Sequence, residues 1–592
     1  MTTPDILTTP NPLMPPQDLT LKLMNQVSPS FFQLPQDCSP DRKRARRATL
    51  AEAKLDFALV QDPLDDGLPL LPAHIAKLPS AVNFPLPRLL SFAAGKVRMK
   101  FNAQVVSFGT DANRYRRLYQ LMQGPKEAMT RWRDDLEFAR QRLSGVNPMM
   151  LRRCDEMPER AMLEAADTVL ATWPRSPRFA DLQRAGRTFL TDYAVLLDPG
   201  VQQYKKADPR AHLTGPLVLY ALDELDRLRP LAIQVRSADG RAPIATATGD
   251  QGRWLVARGH AQAADAQIHE AYYHLWETHL VSETLAVCLY RNLYPEHPVR
   301  QLLEQHYEFN LAIDSIARSD LLSVGGPIDI TMAGGVNGAF AAARVMSRTF
   351  DMTERTLERD LELRGMLEIP DYPYREDALR VRPAIRRYVE GVMSPWYTCA
   401  QNVLEDTELR AFLQEVAGPG GIPSCPQLAA GVGQGQDGVR GALPKRIETP
   451  TQLFDVLTDF IFRAAPQHAA VNNGQYDAYG YIPNTPGTFG TALSDDPSLP
   501  ESAYWDGLPA VNPSMAQLGM VWVLSMPTVR SLLHTGDCPA FQPEVCRGAA
   551  EAVAAFRRRL HEQSDAIDKR NESREIPYRY LDPRNISRST DI

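Results

Sequence analysis

The chain has 592 residues, a net charge of −6, 44% apolar and 23% charged residues, close to the globular averages of roughly 45–50% and about 25%. Collagen, coiled coil and wholesale disorder are excluded, and a mild acidic balance spread along the chain offers no basic footprint for nucleic acid. The 48 prolines, roughly 8% against about 5% on average, predict many sharp helix ends and irregular loops.

The opening residues MTTPDILTTPNPLMPP lack the basic start and apolar run of a secretory signal, so a cytoplasmic protein is expected. No stretch reaches about 18 consecutive apolar residues, which argues against a membrane span and leaves peripheral contact open. Residues 1–80 read as a proline-rich arm, and its basic run Arg42, Lys43, Arg44, Arg46 and Arg47 as a solvated charge cluster. The seven cysteines form no C-x-x-C pair and read as reduced thiols.

From about Asn113 onward helical spacing dominates, over residues 115–143, 263–293, 300–322, 383–392, 451–464 and 549–567. The expectation is a mainly α protein with minor β structure, in which residues 81–592 form one large catalytic domain. Residues 418–443 are rich in Gly, Pro and Gln. Their GVGQGQDG is only superficially like a phosphate loop, because no apolar strand runs into it, so a surface insertion is expected.

Five of the eleven histidines, His269, His274, His279, His297 and His306, fall in one stretch, and the first three are spaced five apart in HEAYYHLWETH. An α-helix turns about 100° per residue, so a step of five leaves side chains about 140° apart. His274 and His279 can reach one metal only if the helix widens, which predicts a π-bulge between them on a long central helix. The zinc-peptidase motif H-E-x-x-H is one residue shorter than His269 to His274 and does not fit. A second cluster, PQHAAVNNGQY, places His468 and Asn472 at i and i+4, on one face of an ordinary helix. Nitrogen-rich ligation with a carboxylate and an open position is the pattern of non-haem iron.

The intervals H-x4-H-x4-H-x17-H-x8-H are met by all five histidines, with Trp254, Ala257 and Asp265 before them and Ser282-Glu283, His297-Pro298 and Ala317-Arg318 alongside or after. HAAVN with Gly474-Gln475-Tyr476 and Pro483-Asn484 follows, and the chain ends in Ile592. In these motifs the sequence resembles the lipoxygenase family, in its compact prokaryotic form. The resemblance implies a non-haem iron, with manganese not excluded, held by His274, His279, His468, Asn472 and the Ile592 carboxylate. It places His269, His297 and His306 beside the site as hydrogen-bonding residues, and Gln475 between the asparagine and the substrate cavity.

The implied reaction removes a hydrogen atom, at a ferric hydroxide, from a cis,cis-1,4-pentadiene in a polyunsaturated fatty acid such as linoleate or arachidonate. O₂ then adds to the opposite face to give a conjugated hydroperoxide. By the same resemblance Leu321 and Leu524 clamp the pentadiene, and Ala317 favours the S product. The expected partners are thus the fatty acid and O₂, the expected state a monomer. Alternatives within the fold are a hydroperoxide isomerase that forms epoxyalcohols and a lipid-binding relative without turnover.

The sequence departs from the family pattern in places. Glu270 stands where glutamine is common, and if buried it is expected to be pushed up and neutral. Arg258 replaces a lysine, Ile316 occupies a place where some members have a basic residue, and the first 80 residues do not supply the strands of an N-terminal β-sandwich domain.

Overall fold

The computed structural model describes residues 32–592 except 62–65, 91, 95–114, 116–117, 120–122, 209, 353, 419–420, 423–446 and 529. Most of the expected 418–443 insertion therefore lies outside the described residues. Pro40–Asp56 is a helix (α1), started by Ser39, whose side chain accepts from the backbone N–H of Arg42, and by a first-turn proline. Within the basic run Arg46 is 1% exposed and grips Glu408 through hydrogen bonds of 2.7 and 2.8 Å. The reading of that run as solvated is corrected for Arg46: an arginine is buried where a carboxylate neutralises it. Leu59–Val60 (β1) and His74–Ile75 (β2) pair next as a short antiparallel ribbon.

Where one helix over 115–143 is expected, Lys126–Arg131 and Asp135–Ser144 (α2) are separate. Asp134 accepts from the Leu136 N–H and starts the second helix afresh. The β structure is a five-stranded antiparallel meander of Arg152–Arg153 (β3), Thr188–Asp192 (β4), Leu217–Leu222 (β5), Leu228–Gln234 (β6) and Ile244–Thr246 (β7). Alternate residues of a strand face opposite ways. Thus Leu219 and Ala221 of β5 pack with Met162, Val169 and Leu170 of the helix Arg160–Leu170 (α3), while Tyr220 on the other face stacks on Phe138 of α2.

Gln251–Ile268 (α4), a π segment His269–Leu280 and Val281–Asn292 (α5) form one continuous rod, buried on nearly every side. A helix buried all round cannot be amphipathic, and this one is rich in alanine and apolar residues. Gly259 lets it approach the Phe489 ring, which a Cβ would meet at 2.6 Å. The expected π-bulge is present and spans the whole histidine run.

Over 300–322, Phe309 adopts φ +64° and breaks the helix, so that Asn310–Asp320 (α6) begins anew. Arg318 of α6 donates to the buried Glu283 of α5 at 2.9 Å and holds the two together. Pro373–Met393 (α7) starts ten residues before the expected Pro383 and runs through it; burial of Val381, Ala384, Ile385 and Tyr388 outweighs the lost N–H.

Downstream come Thr407–Val416 (α8), Pro450–Phe462 (α9), a second π segment Arg463–Gln467, His468–Asn472 (α10), Val511–Leu524 (α11) and Arg547–Asn571 (α12). α7 and α12 touch at Gly391, where a Cβ would meet Ala552 at 2.5 Å. The last residues, 586–592, are buried. Among the described residues no helix is long and apolar enough to cross a membrane, and six cysteines are free thiols.

Candidate metal centre

Two π segments, one on each of two packed helical rods, set the site. Wider turns put residues five apart onto one face, and His274 and His279 accordingly project together toward His468, the first residue of α10. One ligand atom from each of the three lies within 4.8 Å of the others, and all three residues are buried. The Nε2 atoms of His279 and His468 stand 3.1 Å apart. Two nitrogens each about 2.1 Å from a shared ion, at right angles, would be separated by about 3.0 Å.

The partners of the imidazoles decide which nitrogen is free. His279 Nδ1 lies 2.7 Å from Asp314 Oδ1 and His274 Nδ1 lies 3.1 Å from Glu270 Oε2. Each Nδ1–H donates to a carboxylate, which leaves the Nε2 lone pair for a metal. His274 Nε2 is buried with no hydrogen-bond partner among the described residues, which suits an atom that ligates an ion. Burial pushes His274 down to about 4 against the pull of Glu270. Burial and the neighbouring imidazoles push His468 well below its usual range. Both are thus neutral near pH 7, the form that ligates.

Glu270 corrects an expectation. It is buried and burial alone would raise it, but the adjoining imidazoles of His269 and His274, the latter hydrogen-bonded to it, win and hold it at about 2. Gln475 is the bridge of the network: its Nε2 donates to Asn472 Oδ1 at 3.0 Å and lies 3.4 Å from His274 Nδ1. Asn472 also donates to the Leu524 carbonyl at 2.9 Å. His269 stacks on His274 and places Nε2 2.8 Å from the Val471 carbonyl, which ties the two rods.

Beside the three histidines is a cavity whose wall includes His274, His279, Ala317, Leu321, Leu524 and Ile592. Its remaining lining is mostly apolar, with Leu322, Ile328, Met332 and Met520 among it. Of the residues singled out as metal ligands or cavity residues, His274, His279, Ala317, Leu321, Leu524 and Ile592 are thus on this wall, and His468, Asn472 and Gln475 are in the network behind it. His297 and His306 lie apart from it: His297 Nε2 is 3.0 Å from Asp406 Oδ2, and His306 Nδ1 is 2.8 Å from the Arg588 carbonyl.

Asp314 is the member that the histidine pattern does not announce. Its signal is a carboxylate in the apolar run LAIDSIA, one helical turn before Ala317 and so on the same face of α6. Arg258 takes up the fork geometry of a guanidinium, donating to the carbonyls of Trp132 at 2.6 Å and Arg133 at 2.8 Å and to Asp135 at 3.0 Å.

The sequence model of the lipoxygenase family matches residues 93–582. The hydroperoxide isomerase ALOXE3 of Mus musculus is 32% identical over 474 residues, 78% of this chain and 62% of that protein, so the chain spans less than two thirds of this relative. The polyunsaturated fatty acid lipoxygenase ALOX12 of Homo sapiens is 30% identical over 546 residues, 89% of this chain and 78% of that one. Among solved structures, a lipoxygenase in complex with arachidonate superposes with a TM-score of 0.82 at 25% identity, over 95% of this chain and 83% of that chain. The coral 8R-lipoxygenase gives 0.80 at 26% identity, with the same coverage.

Proposed function

Because the chain belongs to the lipoxygenase family, we propose that it oxygenates polyunsaturated fatty acids containing a cis,cis-1,4-pentadiene to conjugated S-hydroperoxides. The observation that carries this reading is the convergence of three buried imidazoles, two of them on the wall of an apolar cavity. His274, His279, His468, Asn472 and the Ile592 carboxylate would hold a non-haem iron; manganese fits the same donors. Iron, when bound, supplies the one-electron chemistry that removes a bis-allylic hydrogen and lets O₂ add to the pentadienyl radical.

The chain's own residues bind and orient. An acyl chain entering the cavity gains roughly 0.8 kcal/mol for each buried CH₂, so the apolar walls select length and keep water out. Leu321 and Leu524 line the cavity together with His274 and His279 and would pinch the pentadiene there. The Ala317 methyl group would fill one of the two places from which O₂ can approach, which favours the S product. Gln475, bonded to Asn472 and close to His274, would hold the amide ligand in register with the cavity.

A second reading, isomerisation of fatty-acid hydroperoxides to epoxyalcohols, is favoured by the similarity to the mouse isomerase. One assay separates the two. With linoleate, oxygen uptake matched by conjugated-diene absorbance is the expected result. Loss of added hydroperoxide without oxygen uptake, and no reaction with linoleate, would establish the isomerase instead.

A further inference from the structure

The carboxylate of Asp314 does more than line the cavity. It is 3% exposed and faces two ways. Oδ1 accepts from His279 Nδ1 at 2.7 Å, and Oδ2 accepts from Asn310 Nδ2 at 3.2 Å. The same Asn310 amide donates to Thr590 Oγ1 at 2.6 Å. Thr590 lies two residues before Ile592 and is itself fully buried. A continuous line of hydrogen bonds, His279–Asp314–Asn310–Thr590, therefore runs from the π segment through one turn of α6 to the last residues of the chain.

We infer that Asp314 is a positioning residue for the metal centre. It fixes the ring plane and tautomer of His279, adds negative charge behind that imidazole, and registers the tail that carries Ile592 against the histidine helix. The inference rests on the metal-binding reading above. Its physical basis is that an imidazole whose far nitrogen donates to a carboxylate is held in one orientation and made a stronger donor, and that losing such a partner typically costs about 10- to 100-fold in metal affinity. Asn310 couples the two ends: of the two hydrogens on its NH₂ group one goes to Asp314 and one to Thr590, so the tail fixes the amide in the orientation that serves the carboxylate behind His279.

The test uses the iron-loaded full chain and three variants, Asp314→Ala, Asp314→Asn and Thr590→Val. It reads the rate of iron loss to an excess of chelator, the ferric EPR line shape and the ferric/ferrous midpoint potential. Asp314→Ala should lose iron about 10- to 100-fold faster and change the EPR line shape. Asp314→Asn, which still offers an oxygen acceptor, should restore most of the retention but raise the potential, because a negative charge that favours the ferric state is gone. Thr590→Val should lose iron faster than wild type and more slowly than Asp314→Ala. Retention, spectrum and potential all unchanged in Asp314→Ala would overturn the inference while leaving the metal reading intact. A wild-type chain that takes up no iron would overturn both. Should Asp314→Ala fail to fold, an unchanged potential in Asp314→Asn together with unchanged retention in Thr590→Val would overturn it equally.

Discussion

Glu277 accepts a hydrogen bond of 3.0 Å from Arg463, and each of these residues lies inside a π segment, one carrying His274 and His279 and the other leading into His468. The pair is buried, and Asp459 completes it at 3.3 Å from the same guanidinium. Both widened turns are thus pinned to each other behind the metal-site residues. Removing Glu277 leaves Arg463 paired with Asp459 but takes away one buried charge-assisted hydrogen bond, a loss of about 1.5–3 kcal/mol. Glu277→Ala should lower stability by that amount in urea unfolding and weaken iron retention, and Glu277→Gln should lose less of both.

His306 holds the tail. Its Nδ1–H donates to the Arg588 carbonyl, next to the antiparallel pairing of Ser531 with Ser587. His306→Phe keeps the ring and removes the donor. Hydrogen exchange of the amides of residues 586–592 should then accelerate, and iron content should fall, while the exchange of α7 and α12 stays as in wild type.

The pH dependence of stability has a definite sign. His260 is buried between Thr214 and the Thr491 carbonyl, and burial pushes it down to about 4. A group that is depressed on folding binds fewer protons in the folded state, so its contribution is present above the unfolded value of about 6.5 and is lost as pH falls toward 4. From pH 7 to pH 5 this one histidine should cost about 2 kcal/mol. The gap in stability between pH 7 and pH 5 should narrow by that amount in His260→Gln, read from urea midpoints at the two values.

Ala317 offers a test that leaves the metal residues untouched. Its side chain lines the cavity, and Ala317→Gly removes only the methyl group. Chiral chromatography of the linoleate product should show an S-hydroperoxide from the wild type and a rise in the R isomer from the variant. An R product from the wild type would refute the assigned role.

What could be read from the sequence follows from how local each signal is. The histidine spacing implied the π segment because a five-residue step is incompatible with convergence on an ordinary helix. The second π segment, Arg463–Gln467, contains Pro466, and a missing N–H inside a helical pattern does not distinguish a widened turn from a helix end. The start of α1 is written locally in Ser39-Pro40, yet the burial of Arg46 is not, since Glu408 is 362 residues away. Glu270 illustrates a different limit: its burial could be anticipated as a condition, but its charge depends on two imidazoles whose combined pull exceeds desolvation. Asp314 reads as one more residue of an amphipathic helix until His279 is placed opposite it.

The central claim, that three imidazoles and the chain's final carboxylate share one redox-active ion, is tested most directly by measuring the metal in the full chain and in a chain lacking Ile592. The account predicts about one iron per full-length chain, and, on loss of that single residue, loss of the iron together with linoleate-dependent oxygen uptake. Zinc in the full chain, or iron and oxygen uptake that survive the deletion undiminished, would contradict it.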